Sequence, residues 1–188
     1  MPDLTLEARS ALGTAPGEAG QVLVDGARLR IAEVAWLHVY SLRASRMNGA
    51  VAGLTTLLAP LSLNAPDAPN RLQGSLQRSC AWLEPHAWLL VSDSAVALDA
   101  PPQWLVTEIS DRVAVFSVAG DGARDLIAAG CDPQLLRTGT MARLRFAAMA
   151  NVIVEQWADD HYRLLIDVSI ASVFASWLTT AAGQLSSN

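Results

Sequence analysis

Hydrophobic residues recur over five short stretches in the first half of the chain, and each stretch has the length and pattern of a strand. The predicted strands are 21–24, 28–32, 36–43, 79–83 and 88–92. Asp25 and Gly26 separate the first two stretches, a pair typical of the tight turn in a hairpin. Residues 47–61 carry leucines at helical spacing, so we expect a helix with Asn48 as its N-cap and Pro60 at its end.

The second half of the chain predicts two helices among four strands. The predicted strands are 113–118, 141–147, 151–157 and 161–168. A short helix over 123–129 ends at Gly130, and a longer amphipathic helix begins at Ser169 and ends at Gly183. The last strand places hydrophobic residues on one face and polar residues, including Arg163, on a face that we expect to be exposed.

Hairpins beside helices predict an α+β fold with mixed or antiparallel sheets and helices on one face. Residues 1–20 contain Gly and Pro with little periodicity, so we expect an extended arm before a single domain over 21–188. Residues 62–74 are rich in Pro and Asn and predict a loop. Both halves, roughly 21–104 and 105–185, offer strands, a helix and more strands, although no sequence repeat links them.

Composition adds a question about the surface. Of the 188 residues, 52% are hydrophobic and only 16% are charged, against a usual charged share of about a quarter. A high alanine content could account for the hydrophobic share without an exposed apolar patch. An apolar patch covered by another subunit would account for it as well, and six tryptophans favour this second interpretation.

Several functional classes are excluded by residue content. The chain contains no lysine, so lysine Schiff-base and P-loop chemistry are absent, and a net charge of −5 with scattered arginines does not suit nucleic acid. Cys80 and Cys131 are too few and too far apart for a disulfide framework. The first residues do not resemble a signal peptide, and the longest apolar stretch, 146–154, is too short to cross a bilayer. We therefore expect a cytoplasmic protein without a membrane partner.

A glycine-rich turn between a predicted strand and helix invites comparison with a dinucleotide-binding fingerprint. Gly120, Asp121 and Gly122 occupy this turn, but Asp125 stands where the fingerprint needs its third glycine. A carboxylate there would repel a pyrophosphate. We expect a simple turn with Asp121 as the N-cap of the helix.

Candidate acid–base groups are sparse. The three histidines have no metal-binding spacing, so we expect no metal site, and Asp159 and Asp160 before His161 favour a hairpin turn over a carboxylate–imidazole pair. Cys131 follows a helix C-terminus, whose negative dipole end raises a thiol pKa. Glu108 and Asp111 remain the carboxylates that could act in acid–base chemistry, or could simply end a loop. We expect no assembled catalytic site.

Several segments together resemble a known family. They are TEISDR at 107–112, FSVAGDGAR at 116–124, AGCD at 129–132, WLEPHAWLLV at 82–91, and the helix from Ser169 to Leu178. Residues 6–12 and the Leu42-Arg43 pair fit as well. This pattern resembles the gamma subunit of heterotetrameric sarcosine oxidase over nearly the whole chain. Glu84-Pro85-His86-Ala87-Trp88 departs from the family's Gly-Pro-Asp-Glu-Trp-like turn.

The resemblance implies a fold like the folate-binding domain of glycine-cleavage aminomethyltransferases, in which two similar α+β halves pair. It also implies a structural, non-catalytic subunit that binds no cofactor itself. Its partners would be larger alpha and beta subunits that use FAD, FMN, NAD and tetrahydrofolate, oxidise sarcosine and pass its methyl carbon to the folate.

Two alternatives share the expected fold. A stand-alone folate-binding one-carbon protein would use Glu108 and Asp111 as its candidate folate contacts, and an orphan adaptor would have changed its partner. The folate-dependent iron–sulfur maintenance proteins rank lower, because only Gly130 and Cys131 of their Lys-Gly-Cys-Tyr-x-Gly-Gln-Glu box are present.

Overall fold

Eleven strands and three α-helices make up the described part of the chain in the computed structural model, which describes residues 10–46 and 49–186. The strands are β1 (Val22–Asp25), β2 (Arg30–Glu33), β3 (His38–Ala44), β4 (Leu72–Gly74), β5 (Arg78–Glu84), β6 (Ala87–Ser92), β7 (Trp104–Glu108), β8 (Val113–Ala119), β9 (Thr140–Phe146), β10 (Ala150–Ala158) and β11 (His161–Asp167). The helices are α1 (Ala50–Leu58), α2 (Ala123–Gly130) and α3 (Ala171–Ser186).

The strands form two sheets in which all pairs are antiparallel. The six-stranded sheet has the order β1-β2-β8-β11-β10-β9, and the five-stranded sheet has the order β4-β5-β6-β3-β7. The predicted α+β class is thus confirmed, with antiparallel rather than mixed sheets.

Each sheet buries one face against helices and the other against the second sheet. Phe174 of α3 packs on Phe116 and Phe146 of the six-stranded sheet, with ring centroids 5.8 and 5.4 Å apart. Leucines of α1 pack with Trp88 on the outer face of the five-stranded sheet. Between the sheets lies a smaller apolar cluster of Val39, Leu89, Val91, Val115 and Leu165. The result is four layers, with helices on one face of each sheet.

The order of elements repeats along the chain. A unit of two strands, a helix and three strands runs from β2 to β6 and again from β7 to β11. The first strand of each unit pairs with the second strand of the other, because β2 lies beside β8 and β7 lies beside β3. The two similar halves therefore exchange their first strands, which interlocks them.

A strand buried on both faces reads as a continuous apolar run, and β8 is predicted on this basis. The predicted exposed face of the last strand is wrong, however. Arg163 is only 2% exposed, because the inner face of β11 lies against the other sheet. Two strands fell outside the sequence prediction: β7, and β4 within the expected loop 62–74.

Helix ends differ from the sequence prediction. Gly130 and Gly183 were expected to end helices, but Gly130 is the last residue of α2 and α3 continues past Gly183. Neither has a positive φ. A Cβ at Gly130 would lie 2.0 Å from Phe146 Cε1, so this glycine makes room for the ring. At the start of the last helix, Asp167 accepts the N–H of Ser169 and replaces Ser169 as the cap.

The predicted helix over residues 47–61 is confirmed in its central part, which forms α1. Leu54, Leu57 and Leu58 are buried, and a 3₁₀ turn containing Pro60 follows α1. The residue before α1 is Gly49, in a left-handed conformation without a side-chain cap. The predicted cap Asn48 lies outside the described residues, as do residues 1–9 of the predicted arm.

The described part of the arm is organised by one carboxylate. Glu33 is 4% exposed and accepts hydrogen bonds from the Oγ of Ser10, the N–H of Leu12 and the Oγ1 of Thr14, at 3.0, 3.0 and 3.2 Å. The N–H of Gln21 lies 3.4 Å from the same carboxylate. Residues 10–21 are therefore fixed to β2.

The tryptophans do not form the surface that their number suggested. Trp82, Trp88 and Trp104 stack into a buried cluster, with centroids 5.4 and 5.3 Å apart, under α1. Trp36 is the most exposed of the six, at 37%. Most of the tryptophan count is therefore explained by the core.

The helical segment Val168–Leu185 is long and apolar enough, by length and composition, to cross a membrane. Phe174 and Leu178 are nearly fully buried against the six-stranded sheet. The helix thus buries about a third of this segment in the core, whereas Val173 is 60% exposed. Its opposite face carries Ser172, Ser176 and Thr180.

A buried arginine on β11 pairs with a glutamate of its own sheet and also bonds to the other sheet. Arg163 Nε donates to Glu155 Oε2 at 2.6 Å, and Arg163 Nη2 donates to Ser79 Oγ of the other sheet at 2.5 Å. Its Nη1 reaches the carbonyl oxygen of Leu76 at 2.8 Å, and the guanidinium lies 5.2 Å from the Trp157 ring centroid. One arginine thus satisfies groups from both sheets.

The two glycines provide a matched test. Gly130→Ala should lower the free energy of unfolding by about 1–3 kcal/mol, because the methyl group must displace Phe146. Gly183→Ala should raise it by about 0.5–1 kcal/mol, because nothing lies within 4 Å of a Cβ there and alanine favours a helix. Urea denaturation of both variants measures this difference. Equal effects would show that the Gly130–Phe146 packing is wrong.

The ion pair yields a second prediction. Arg163→Met should lower the free energy of unfolding by about 3–5 kcal/mol, because Glu155 is left buried without a counter-charge. The double variant Arg163→Met/Glu155→Met should be more stable than the single variant. Chemical denaturation of both tests this, and a double variant at least as unstable as the single one would contradict the buried ion pair.

Candidate functional site

Glu108, one of the two candidate carboxylates, lies at the end of β7. Pairing of β7 with β3 places Tyr40 opposite Glu108 and brings His38 Nδ1 to 2.8 Å from Glu108 Oε1. Ser110 Oγ donates to the same oxygen at 2.8 Å. The Ser110 oxygen also accepts the N–H of Val39 at 2.9 Å. Sequence reasoning missed His38, because 70 residues separate it from Glu108 and only strand pairing joins them.

The side chains in these contacts do not have the arrangement of a catalytic site. The hydrogen bonds from His38 and Ser110 hold the pKa of Glu108 below its usual value, whereas a general acid needs a raised pKa. A nucleophilic serine is hydrogen-bonded to a histidine base, but Ser110 donates to the carboxylate instead. The cluster therefore fastens the connection between the two sheets.

The second candidate carboxylate stands apart. Asp111 is exposed on the 3₁₀ turn Ser110–Arg112, and no described hydrogen bond or ion pair joins it to Glu108. Their role as folate contacts stays a prediction.

The other two histidines, His161 and His86, lie at or beside turns between strands. Asp159 and Asp160 form the predicted turn between β10 and β11. His161 Nε2 lies 3.2 Å from Ser117 Oγ, and burial lowers its pKa, with Asp160 opposing the shift. His86 occupies the β5–β6 turn with a φ of 64°. Within 10–46 and 49–186, no group of three or more His, Cys, Asp or Glu side chains could hold a metal ion.

The glycine turn before α2 serves strand packing. Gly120 has a φ of 109°, and a Cβ there would lie 2.5 Å from the carbonyl oxygen of Arg28. The predicted cap is wrong, because Gly122 occupies the N-cap position of α2 and no side chain caps the helix. Close approach of the loop before β2 accounts for this glycine without a phosphate.

Neither thiol is activated. Cys80 is fully buried, and desolvation together with the charge of Glu155 raises its pKa. Cys131 is partly exposed, and desolvation followed by the charge of Asp132 raises its pKa to about 11. The direction expected for Cys131 is confirmed, although burial rather than the helix dipole is the main cause.

An open cleft of about 530 Å³ lies between the two sheets, and we call it the inter-sheet cleft. Its volume falls within the usual range for ligand sites, about 300–1,000 Å³. The apolar lining residues are Leu83, Leu89, Leu105, Ile109, Val113, Ile153, Leu165 and Ile166. The charged lining residues are Arg43, Arg112, Arg143 and Asp167. Three arginines against one aspartate make this cleft cationic in a protein of net charge −5.

Two of the four charged residues in the inter-sheet cleft are engaged within the protein. Arg143 pairs with Glu84, and Asp167 accepts hydrogen bonds from the N–H and Oγ of Ser169. No ion pair or side-chain hydrogen bond of Arg43 or Arg112 occurs in the described residues. The cleft therefore presents two guanidinium groups that form no ion pair or hydrogen bond within the described part of the chain, beside apolar walls. Arg112 still acts on Asp167, whose pKa is lowered by the hydrogen bonds that it accepts from Ser169 and by the charge of Arg112.

The architecture defines a class: two interlocked α+β halves of the aminomethyltransferase type. A chain of heterotetrameric sarcosine oxidase from Corynebacterium sp. U-96, solved in complex with pyrrole 2-carboxylate, has this fold with a TM-score of 0.73 and 21% identity. The similarity covers 86% of this chain and 87% of that chain. No protein-family model matches the sequence, and no curated protein matches it.

A second solved structure shares part of the fold. Glycine cleavage system aminomethyltransferase T from Bartonella henselae is similar with a TM-score of 0.56 and 12% identity. The similarity covers 78% of this chain but only 44% of the aminomethyltransferase. The expected likeness to both proteins is thus confirmed at the level of the fold.

The thiol surroundings predict low reactivity. Iodoacetamide should modify Cys131 slowly, with a rate that rises about tenfold per pH unit until the pH approaches about 11. Cys80 should react only after unfolding, because it is fully buried. Mass spectrometry of the time course, with Cys131→Ser as the site control, measures both. A fast reaction at neutral pH would indicate an activated thiol.

Proposed function

We propose that this chain is a non-catalytic structural subunit, of the gamma type, in a sarcosine-oxidase-like complex. The observation that carries the proposal is the two-way coverage of the structural similarity, 86% of this chain and 87% of the sarcosine oxidase chain. Because the similarity spans most of both chains, it supports the role of a subunit over that of a domain within a larger enzyme. The match to the aminomethyltransferase covers only 44% of that protein, so it does not extend over most of both chains.

The chemistry of the described residues supports a structural role. Glu108 is held as a carboxylate by His38 and Ser110, and Arg163 pairs with Glu155 and bonds to Ser79 of the other sheet. These contacts stabilise the fold, and the hydrogen bonds from His38 and Ser110 lower the pKa of Glu108 rather than raise it.

The remaining parts of the proposal follow from this role. The partners are larger alpha and beta subunits, which carry FAD, FMN, NAD and the tetrahydrofolate site. This chain binds none of these cofactors itself, and the complex is cytoplasmic.

A second candidate is a folate-binding one-carbon protein that acts alone. The inter-sheet cleft favours it, because two arginines beside apolar walls suit a carboxylate ligand with an apolar body. Titration of the isolated chain with tetrahydrofolate separates the two candidates. Tight, saturable binding would favour the second.

The structural role predicts three results for the purified protein. Alone, it should show no flavin absorbance and no sarcosine oxidation, because no redox or acid–base centre is assembled. Co-expression with the large sarcosine-oxidase-like subunits of its source genome should raise its soluble yield and give a stable co-purifying complex. Absorbance spectra, an oxidation assay and size-exclusion chromatography measure these results.

A matched control uses the same large subunits with Arg163→Met, which removes the buried ion pair and the hydrogen bond to Ser79 of the other sheet and should reduce complex yield. Oxidation of sarcosine by the isolated chain would end the structural proposal. So would the absence of any complex with the large subunits when both partners are soluble.

A further inference from the structure

Four strands form the edges of the two sheets, and three of them are protected. β1 has an irregular register between Val22 and Val24, which disrupts the edge. β4 is three residues long and is joined to the β9 edge, where the N–H of Leu72 donates to the carbonyl oxygen of Gly139. The N–H of Met141 also donates to the carbonyl oxygen of Asn70. These contacts close one side of the sandwich.

β7 is the fourth edge, and within residues 10–46 and 49–186 it has none of these protections. It pairs with β3 over five consecutive residues without a bulge, and it contains no proline or basic residue. Leu105 on this strand is 61% exposed. A regular, exposed edge strand is a template for another strand, which proteins usually blunt or cover.

The backbone of β7 is arranged for such pairing. The N–H of Ile109 donates to Val39, and the carbonyl oxygen of Gln103 accepts from Ser45, so odd-numbered residues face β3. Alternation along an antiparallel strand then turns the N–H and C=O groups of Val106 and Glu108 toward the open edge.

The side chains beside this edge set the chemistry of a partner. On the cleft side, Arg43 lies opposite Leu105 in the β3–β7 register, and Arg112 follows the end of β7. On the other side, Trp104 and Val106 belong to the apolar cluster under α1. A strand added here would therefore meet guanidinium groups on one face and apolar side chains on the other.

We propose that an extended segment of a partner chain, with alternating acidic and apolar side chains, adds to β7 as the sixth strand of this sheet. Its carboxylates face Arg43 and Arg112 in the inter-sheet cleft, and its apolar side chains lie on the other face beside Val106, at the edge of the cluster that buries Trp104. A second copy of this chain suits the edge poorly, because pairing β7 with itself brings two cationic clefts together. The inference rests on the proposed function, since it states where a larger subunit docks.

A synthetic probe tests the surface without the large subunits. The probe is a fluorescein-labelled peptide of four Glu-Val repeats, and its controls are four Lys-Val repeats and the same Glu and Val residues in two blocks. We expect saturable anisotropy changes with the alternating acidic peptide alone. Amide exchange of Val106 and Glu108, followed by NMR, should slow when that peptide binds.

Matched variants locate the contact. Arg43→Glu should weaken binding about tenfold, whereas Arg137→Glu, an equal charge change at an exposed site outside the cleft, should leave it unchanged. Val106→Pro removes an edge N–H and should abolish binding, whereas Val106→Thr keeps that N–H and should retain it. Circular dichroism confirms that each variant is folded.

Several outcomes would overturn the inference. The first is that the block peptide binds as well as the alternating one, and the second is that Arg43→Glu leaves peptide binding unchanged. The third is self-association of the protein that Val106→Pro abolishes. The fourth is a large gain in affinity for the alternating peptide when residues 1–9 are removed. If the peptide binds as expected but the large subunits form no complex, the docking surface stands and the sarcosine-oxidase role fails. The two proposals are thus separable.

Discussion

Exchange of the first strand between the two halves is the constraint on which the rest of the structure depends. β2 belongs to the first unit but pairs with β8, and β7 belongs to the second but pairs with β3. Neither sheet is complete without a strand from the other half. The connections between these strands cross from sheet to sheet, and the His38–Glu108–Ser110 cluster fastens one such crossing.

The exchange also explains why the space between the sheets is partly polar. Only five fully buried apolar residues form the central inter-sheet cluster, and Arg163 with Glu155 supplies contacts beside it. The ion pair of Arg163 with Glu155 lies within one sheet, and such a buried pair stabilises little relative to an apolar contact but is costly to break. It holds the arginine in place, and the hydrogen bonds of that arginine to Ser79 and to the carbonyl oxygen of Leu76 favour one registration of the sheets. Where neither kind of contact continues, the inter-sheet cleft opens.

The sequence predicted the local elements well and the long-range pairing poorly. Hairpins β5–β6 and β9–β10 and the cores of all three helices follow from short-range patterns that one stretch of chain contains. The burial of Arg163 could not be predicted, because its alternating position resembles a solvent-facing one until the second sheet covers it. His38 and Glu108 were missed as a pair, because only strand pairing brings them together. Gly130 was interpreted as a helix end, although it makes room for the ring of Phe146.

The protein's apolar composition has two causes that the sequence could not separate. Most of it is structural, because four layers create three buried interfaces and Trp82, Trp88 and Trp104 all lie in the core. The apolar surface that remains exposed is limited. Leu105 is the part of it that lies on an unprotected edge strand and beside the arginines of the inter-sheet cleft. In the described residues, Arg43 and Arg112 flank this open strand edge. An exposed edge of this kind can accept an extended peptide as an added strand, whose alternate side chains then meet the two faces of the sheet.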